Sequence, residues 1–132
     1  MRMQKSGMSP SHYSPLALAF LGDAVFGLLA RERLLLEANR PAGELHRLAI
    51  AHVNAQAQAR RAKALLPSLT QEEAAVFRRG KNAKPGHVPP SCTREEYALA
   101  TGLEALFGWL WLMGQFERAR ELFELDKSPE IR

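Results

Sequence analysis

The chain has one cysteine, Cys92, among 132 residues, so no internal disulfide framework holds it together. Residues suited to strands are scarce: Val, Ile and Thr fill nine positions in all, and no run alternates apolar with polar residues over a strand's length. Both absences argue against a sheet protein. Long apolar runs are also missing, because the two most apolar stretches fall short of the roughly 18 to 20 uncharged residues of a membrane span and each carries an acid near its middle. The opening residues, MRMQKSGMSPSHY, lack the apolar centre of a secretory signal. Together with the lone cysteine this leads to the expectation of a reducing, cytoplasmic location and no membrane partner. No His or Cys cluster has zinc-binding spacing, and there is no internal repeat or low-complexity segment. The length fits one domain with a real core.

What the chain does hold is Ala, Leu, Glu, Arg and Gln in abundance, the composition of an all-α protein. Its organising feature is a pair of apolar stretches. In LALAFLGDAVFGLLA, residues 16 to 30, fourteen uncharged residues surround Asp23; in ALATGLEALFGWLWLM, residues 98 to 113, the only charge is Glu104. Desolvating a carboxylate costs several kcal/mol unless a partner offsets it, so each acid requires one. Small residues crowd both: Ala19, Gly22, Ala24 and Gly27 near Asp23, and Ala100, Thr101, Ala105 and Gly108 near Glu104. Glycine inside a helix costs about 1 kcal/mol relative to alanine, which calls for compensation by close helix contact or by room around the carboxylates.

Start and stop signals divide the rest. Residues 1–13 read as a flexible arm, and Ser14-Pro15 as an N-cap followed by proline at the first helical position, opening a helix whose first half is expected to be buried nearly all round. A second helix is expected from Ala42 or Glu44 to about Leu66, with Arg60, Arg61 and Lys63 favouring its C-terminus and facing water. Thr70–Glu73 and Thr93–Glu96 fit capping boxes. Between the helices they open lies RRGKNAKPGHVPPS, residues 78 to 91, expected to be irregular throughout. Gly114 reads as a helix stop and Gln115 to about Leu125 as a last amphipathic helix. The domain thus spans 14–127, with residues 128–132 as a frayed tail. Trp109 and Trp111 fall on different faces of their helix, so burying both needs a second layer or a subunit interface. The histidines are scattered and receive no catalytic role, and Cys92 has no evident base.

Two arrangements of the acids are open: separate pairing of Asp23 and Glu104 with arginines or helix N-termini, or convergence around a divalent cation, since like charges side by side are unfavourable without one. Hard oxygen ligands suit Mg²⁺ or Mn²⁺. The formal net charge of +4 and a sequence pI near 9.6 point weakly to a polyanionic partner.

At this point four motifs, in order along the chain, resemble one family. LALAFLGDAVFGLL resembles the signature helix of the ribonuclease III family and TGLEALFGWLWLMG its second acidic helix. Closer still is the Mini-III branch, a ribonuclease III catalytic domain without a double-stranded-RNA-binding domain, matched by ELHRLA at 44–49, AQA at 55–57, RRGKNAK at 78–84 and YALATGLEAL at 97–106. The resemblance covers residues 14 to about 125. It implies an all-α, homodimeric endoribonuclease of the ribonuclease III type that cuts double-stranded RNA and leaves 5′-phosphate and 3′-hydroxyl ends. By the same resemblance Asp23 and Glu104 are catalytic metal ligands for Mg²⁺, with Mn²⁺ as a substitute. Phe20 is at the position of a knob inserted into the partner subunit, although from sequence it reads equally well as core. The implied biological substrate is a precursor of large-subunit (23S) ribosomal RNA, with a large-subunit ribosomal protein as a candidate further partner.

The chain departs from full-length family members at two positions, where acids four residues before the aspartate and three before the glutamate are replaced by Ala19 and Thr101. Half the carboxylate set is missing, which implies weaker metal binding. Without a separate RNA-binding domain, this domain must supply its own cations, and Arg78, Arg79, Lys81 and Lys84 are the candidates for RNA binding. The competing reading is a non-catalytic helical dimer that binds structured RNA as a ribosome-assembly factor. A small-molecule phosphohydrolase would carry a His-Asp metal cluster, which is absent here.

Overall fold

The structure, a computed structural model, describes residues 12–125; the expected arm and tail lie almost wholly outside them. Among the described residues there is no strand. Six helices follow in order: α1 Pro15–Glu37, α2 Ala42–Val53, α3 Ala55–Leu65, α4 Gln71–Lys81, α5 Arg94–Leu112 and α6 Phe116–Leu125, with a 3₁₀ turn at Leu66–Ser68 before α4.

The caps stand where the sequence signals place them. Ser14 Oγ accepts from the Ala17 N–H at 3.1 Å with Pro15 following, and both capping boxes close, Thr70 with Glu73 and Thr93 with Glu96. Gly114, at φ +77°, ends α5 in a Schellman turn, with the Gln115 N–H donating to the Leu110 carbonyl at 2.9 Å.

α5 is the axis of the domain. Eleven of its nineteen residues are buried, because α1, α3 and α4 all pack around it. Phe26 of α1 meets Phe107 of α5 and Phe123 of α6 edge to face, with ring centroids 5.5 and 5.3 Å apart. Both tryptophans are accommodated within one chain: Trp109 is in the core, and Trp111 packs on Phe116 at 4.5 Å. α6 is fastened to the start of α4 by Arg118, whose Nε and Nη2 donate to the Glu73 carboxylate at 2.8 and 2.9 Å while Nη2 also reaches the Ser68 carbonyl. This bidentate grip holds the Glu73 carboxyl below its ordinary range.

Four expectations are corrected. The helix expected from residue 42 to 66 is two, because Asn54 takes an extended conformation and its Oδ1 accepts from the Ala57 N–H at 2.8 Å, starting α3 afresh. Arg61 does not face water with Arg60 and Lys63; it is buried over the Phe123 ring at 4.5 Å, with Nη1 donating to the Phe123 carbonyl at 2.8 Å. α4 runs on to Lys81, so Arg78, Arg79 and Lys81 are on a helical turn and only residues 82–93 are irregular. The first half of α1 is not buried all round either. Leu16, Phe20 and Leu28, four or eight residues apart, are 48, 84 and 50% exposed and form an apolar stripe.

Candidate active site

Asp23 and Glu104 come together because α1 and α5 touch backbone to backbone. A Cβ added to Gly22 would lie 1.6 Å from the Glu104 carbonyl oxygen, and one added to Gly108 would lie 2.0 Å from the Leu18 carbonyl oxygen. No residue larger than glycine is accommodated at either place. The close approach brings the residue after Gly22 beside Glu104 across the helix contact. The two acids line a cleft of about 390 Å³ with Ala19, Phe20, Tyr97 and Thr101.

Their environments differ. Asp23 is exposed, whereas Glu104 is partly buried. Burial first, then the negative charge of Asp23 and a hydrogen bond shared with it, push the Glu104 carboxyl up to about 8; a hydrogen bond from Gln58 works in the opposite direction. Neither acid forms an ion pair with any Lys, Arg or His among the described residues. Separate pairing with arginines is therefore not what the fold does: each acid's neighbour is the other acid. The positions holding Ala19 and Thr101 line the same cleft, and the Thr101 hydroxyl donates to the Tyr97 carbonyl at 2.9 Å.

A group that fits this pair must be a cation. Two carboxylates with no third acid, His or Cys close enough to complete a cluster among the described residues suit a hard dication that keeps most of its water and takes further oxygen ligands from a phosphate. Zinc, which favours nitrogen and sulfur donors in closed tetrahedra, does not fit.

Of the four cations assigned to RNA, Lys81 lines a cleft that adjoins this site. Lys81 and Arg94 line this second cleft of about 360 Å³, which shares Leu16, Tyr97 and Thr101 with the first, so the two are adjacent. Lys84 is exposed just beyond it, in the irregular segment. Arg78 lines a different groove with Lys63, and Arg79 Nη2 donates to the Tyr13 carbonyl at 3.1 Å, tying α4 to the residue that precedes the α1 cap. Tyr97 and Arg94 were not singled out from sequence. The signal for Tyr97 was available, since 97, 101 and 104 are one helical face.

Residues 16–115 match the ribonuclease III domain. The chain belongs to the ribonuclease III domain family. Within it, the chain is 46% identical over 116 residues to the Mini-ribonuclease 3 of Symbiobacterium thermophilum, covering 88% of this chain and 89% of that one. It is 42% identical over 113 residues to the Mini-ribonuclease 3 of a Thermoanaerobacter species, covering 86% and 80%. A crystal structure of a Fusobacterium nucleatum protein has the same fold at 35% identity, with a TM-score of 0.77 over 86% of this chain and 91% of that chain.

Proposed function

We propose that this ribonuclease III-family endoribonuclease cuts double-stranded RNA at the Asp23–Glu104 cleft, holding Mg²⁺ on those two carboxylates, with Mn²⁺ as a substitute. The observation that carries the reading is the meeting of two acids from α1 and α5 with no cationic side chain paired to either. When bound there, Mg²⁺ supplies an activated water and neutralises charge on the phosphodiester. The chain's own contribution is positional. The glycine contact between α1 and α5 holds the carboxylates in place, and Lys81 with Arg94 presents positive charge beside the cleft where a backbone phosphate would run.

The exposed stripe of Leu16, Phe20 and Leu28 supports assembly as a homodimer, with Phe20 inserted into the partner subunit. In a dimer the two clefts face one duplex, each cutting one strand to leave 5′-phosphate ends. From the resemblance to Mini-III enzymes we take the biological substrate to be a 23S ribosomal RNA precursor in the cytoplasm, with a large-subunit ribosomal protein as a further partner. No described helix is long and apolar enough to cross a membrane.

The test is cleavage of a long double-stranded RNA by wild-type protein, by Asp23→Asn and by Glu104→Gln, in Mg²⁺ and in EDTA. Either substitution, or EDTA, should slow cutting at least ~100-fold while circular dichroism and RNA binding in Ca²⁺ stay unchanged. RNA binding without metal-dependent cutting would replace the enzyme by an RNA-binding assembly factor.

A further inference from the structure

Gln58 is out of place in its surroundings. It is in α3, in the segment AQAQARRAKAL, and only 1% of its surface is exposed, among Ala57, Ala59 and Ala62. A buried amide needs partners for two N–H groups and one oxygen, and an unmet one costs about 1–3 kcal/mol. One donor is satisfied by the break between α2 and α3. In an unbroken helix the Val53 carbonyl would accept from the Ala57 N–H, but Asn54 Oδ1 has taken that N–H, and Gln58 Nε2 donates to Val53 instead at 3.0 Å. The same amide is close enough to the Glu104 carboxyl to favour its ionised form. Its Oε1 is buried with no partner at all among the described residues.

The amide nitrogen is thus held by the helix break near the site carboxylate, and the amide oxygen is left as a buried acceptor without a partner among the described residues. Such an acceptor suits a donor that arrives with the ligand. A water bound to a dication is a strong donor, and outer-shell partners of metal ligands commonly have this kind of arrangement.

Resting on the function proposed above, we infer that Gln58 is a positioning residue: its amide N–H holds the Glu104 carboxylate towards Asp23, and its Oε1 accepts from a water in the shell of the bound dication. Gln58 touches neither RNA nor the reacting phosphate, and its effect runs through the metal.

The experiment is Mn²⁺ binding, followed by electron paramagnetic resonance, to full-length wild-type protein, Asp23→Asn, Gln58→Leu and Gln58→Met, beside the Mg²⁺ midpoint for cleavage. Leucine and methionine keep much of the volume and remove the amide. Wild type should bind Mn²⁺ and Asp23→Asn should not, which tests the metal site itself. The two Gln58 variants should bind ~10- to 100-fold more weakly and need correspondingly more Mg²⁺ for half-maximal cutting, while RNA affinity in Ca²⁺ is unchanged. Equal Mn²⁺ affinity in wild type and the folded Gln58 variants would overturn the inference while leaving the carboxylate site standing. So would failure of both variants to fold, which would make Gln58 a packing residue. Wild type that binds Mn²⁺ no better than Asp23→Asn would remove the metal reading, and this inference with it.

Discussion

His52 and Arg61 show how far a side chain's role depends on what the fold places against it. Arg61 reads from sequence as a solvated cation, yet both residues are buried, with Arg61 Nη2 3.4 Å from His52 Nδ1 and the guanidinium over the rings of Phe123 and Phe26. Burial first, then the positive charges of Arg61 and Arg33, lower the His52 pKa to about 4. The unfolded chain, with an ordinary histidine near 6.5, therefore binds more protons than the folded one between those two values. Stability from this residue is complete above pH 6.5 and is lost as pH falls towards 4, by up to ~3 kcal/mol. Urea unfolding of wild type and His52→Asn at pH 7 and pH 4.5 checks this. The wild type should lose more stability on acidification than the variant, and parallel losses would show that His52 does not contribute. At the same scale Asp23, expected in an apolar setting, is exposed, and Glu104 is the acid that burial affects. Asp23 and Glu104 were both visible in the sequence as lone charges. Gln58 was not, because a glutamine among alanines on one helix looks like a solvated face until α5 is packed over it.

At the scale of elements, the site depends on one crossing. α1 and α5 approach until Gly22 meets the Glu104 carbonyl and Gly108 meets that of Leu18, so a methyl group at either position must separate the helices. Gly22→Ala should therefore destabilise the protein by at least ~3 kcal/mol and lower Tm by about 10 °C, beyond the gain that alanine normally brings to a helix interior. Thermal unfolding followed by circular dichroism measures it, and a Tm within 2 to 3 °C of wild type would mean that the helices can slide. Cap signals located the starts of α1, α4 and α5 because they are local chemistry: a hydroxyl or carboxylate satisfies a free N–H within three residues. The α2–α3 break was not legible. Asn54 carries the same signal, but inside a run with helical periodicity that reads as continuous.

At the scale of the molecule, two surfaces remain to be tested. The stripe of Leu16, Phe20 and Leu28 is the seam of the proposed homodimer, and on that reading Phe20→Glu should convert the dimer to monomers in sedimentation velocity while helicity is retained. A monomeric wild type would exclude the dimer. The second surface is the cationic end of the adjoining cleft. Replacing Lys81 and Lys84 together with Ala should weaken binding to double-stranded RNA and reduce the slope of log affinity against log salt by about 1–2. Arg79 is left intact in that variant because it also secures Tyr13 at the entry to α1. An unchanged slope would place the RNA elsewhere.

The sequence alone determined the class of fold, the starts of α1, α4 and α5, the two acids and the family, because each is written in local pattern: apolar periodicity, caps, lone charges and ordered motifs. What only the tertiary structure decided is which groups meet. Asp23 faces Glu104 rather than an arginine, because two glycines 86 positions apart let their backbones touch. Arg61 is buried while its neighbour Arg60 is solvated, and Phe20 is at the surface rather than in the core. Such outcomes follow from long-range packing, whose free energy depends on the opposing surface, and no window of sequence contains that surface.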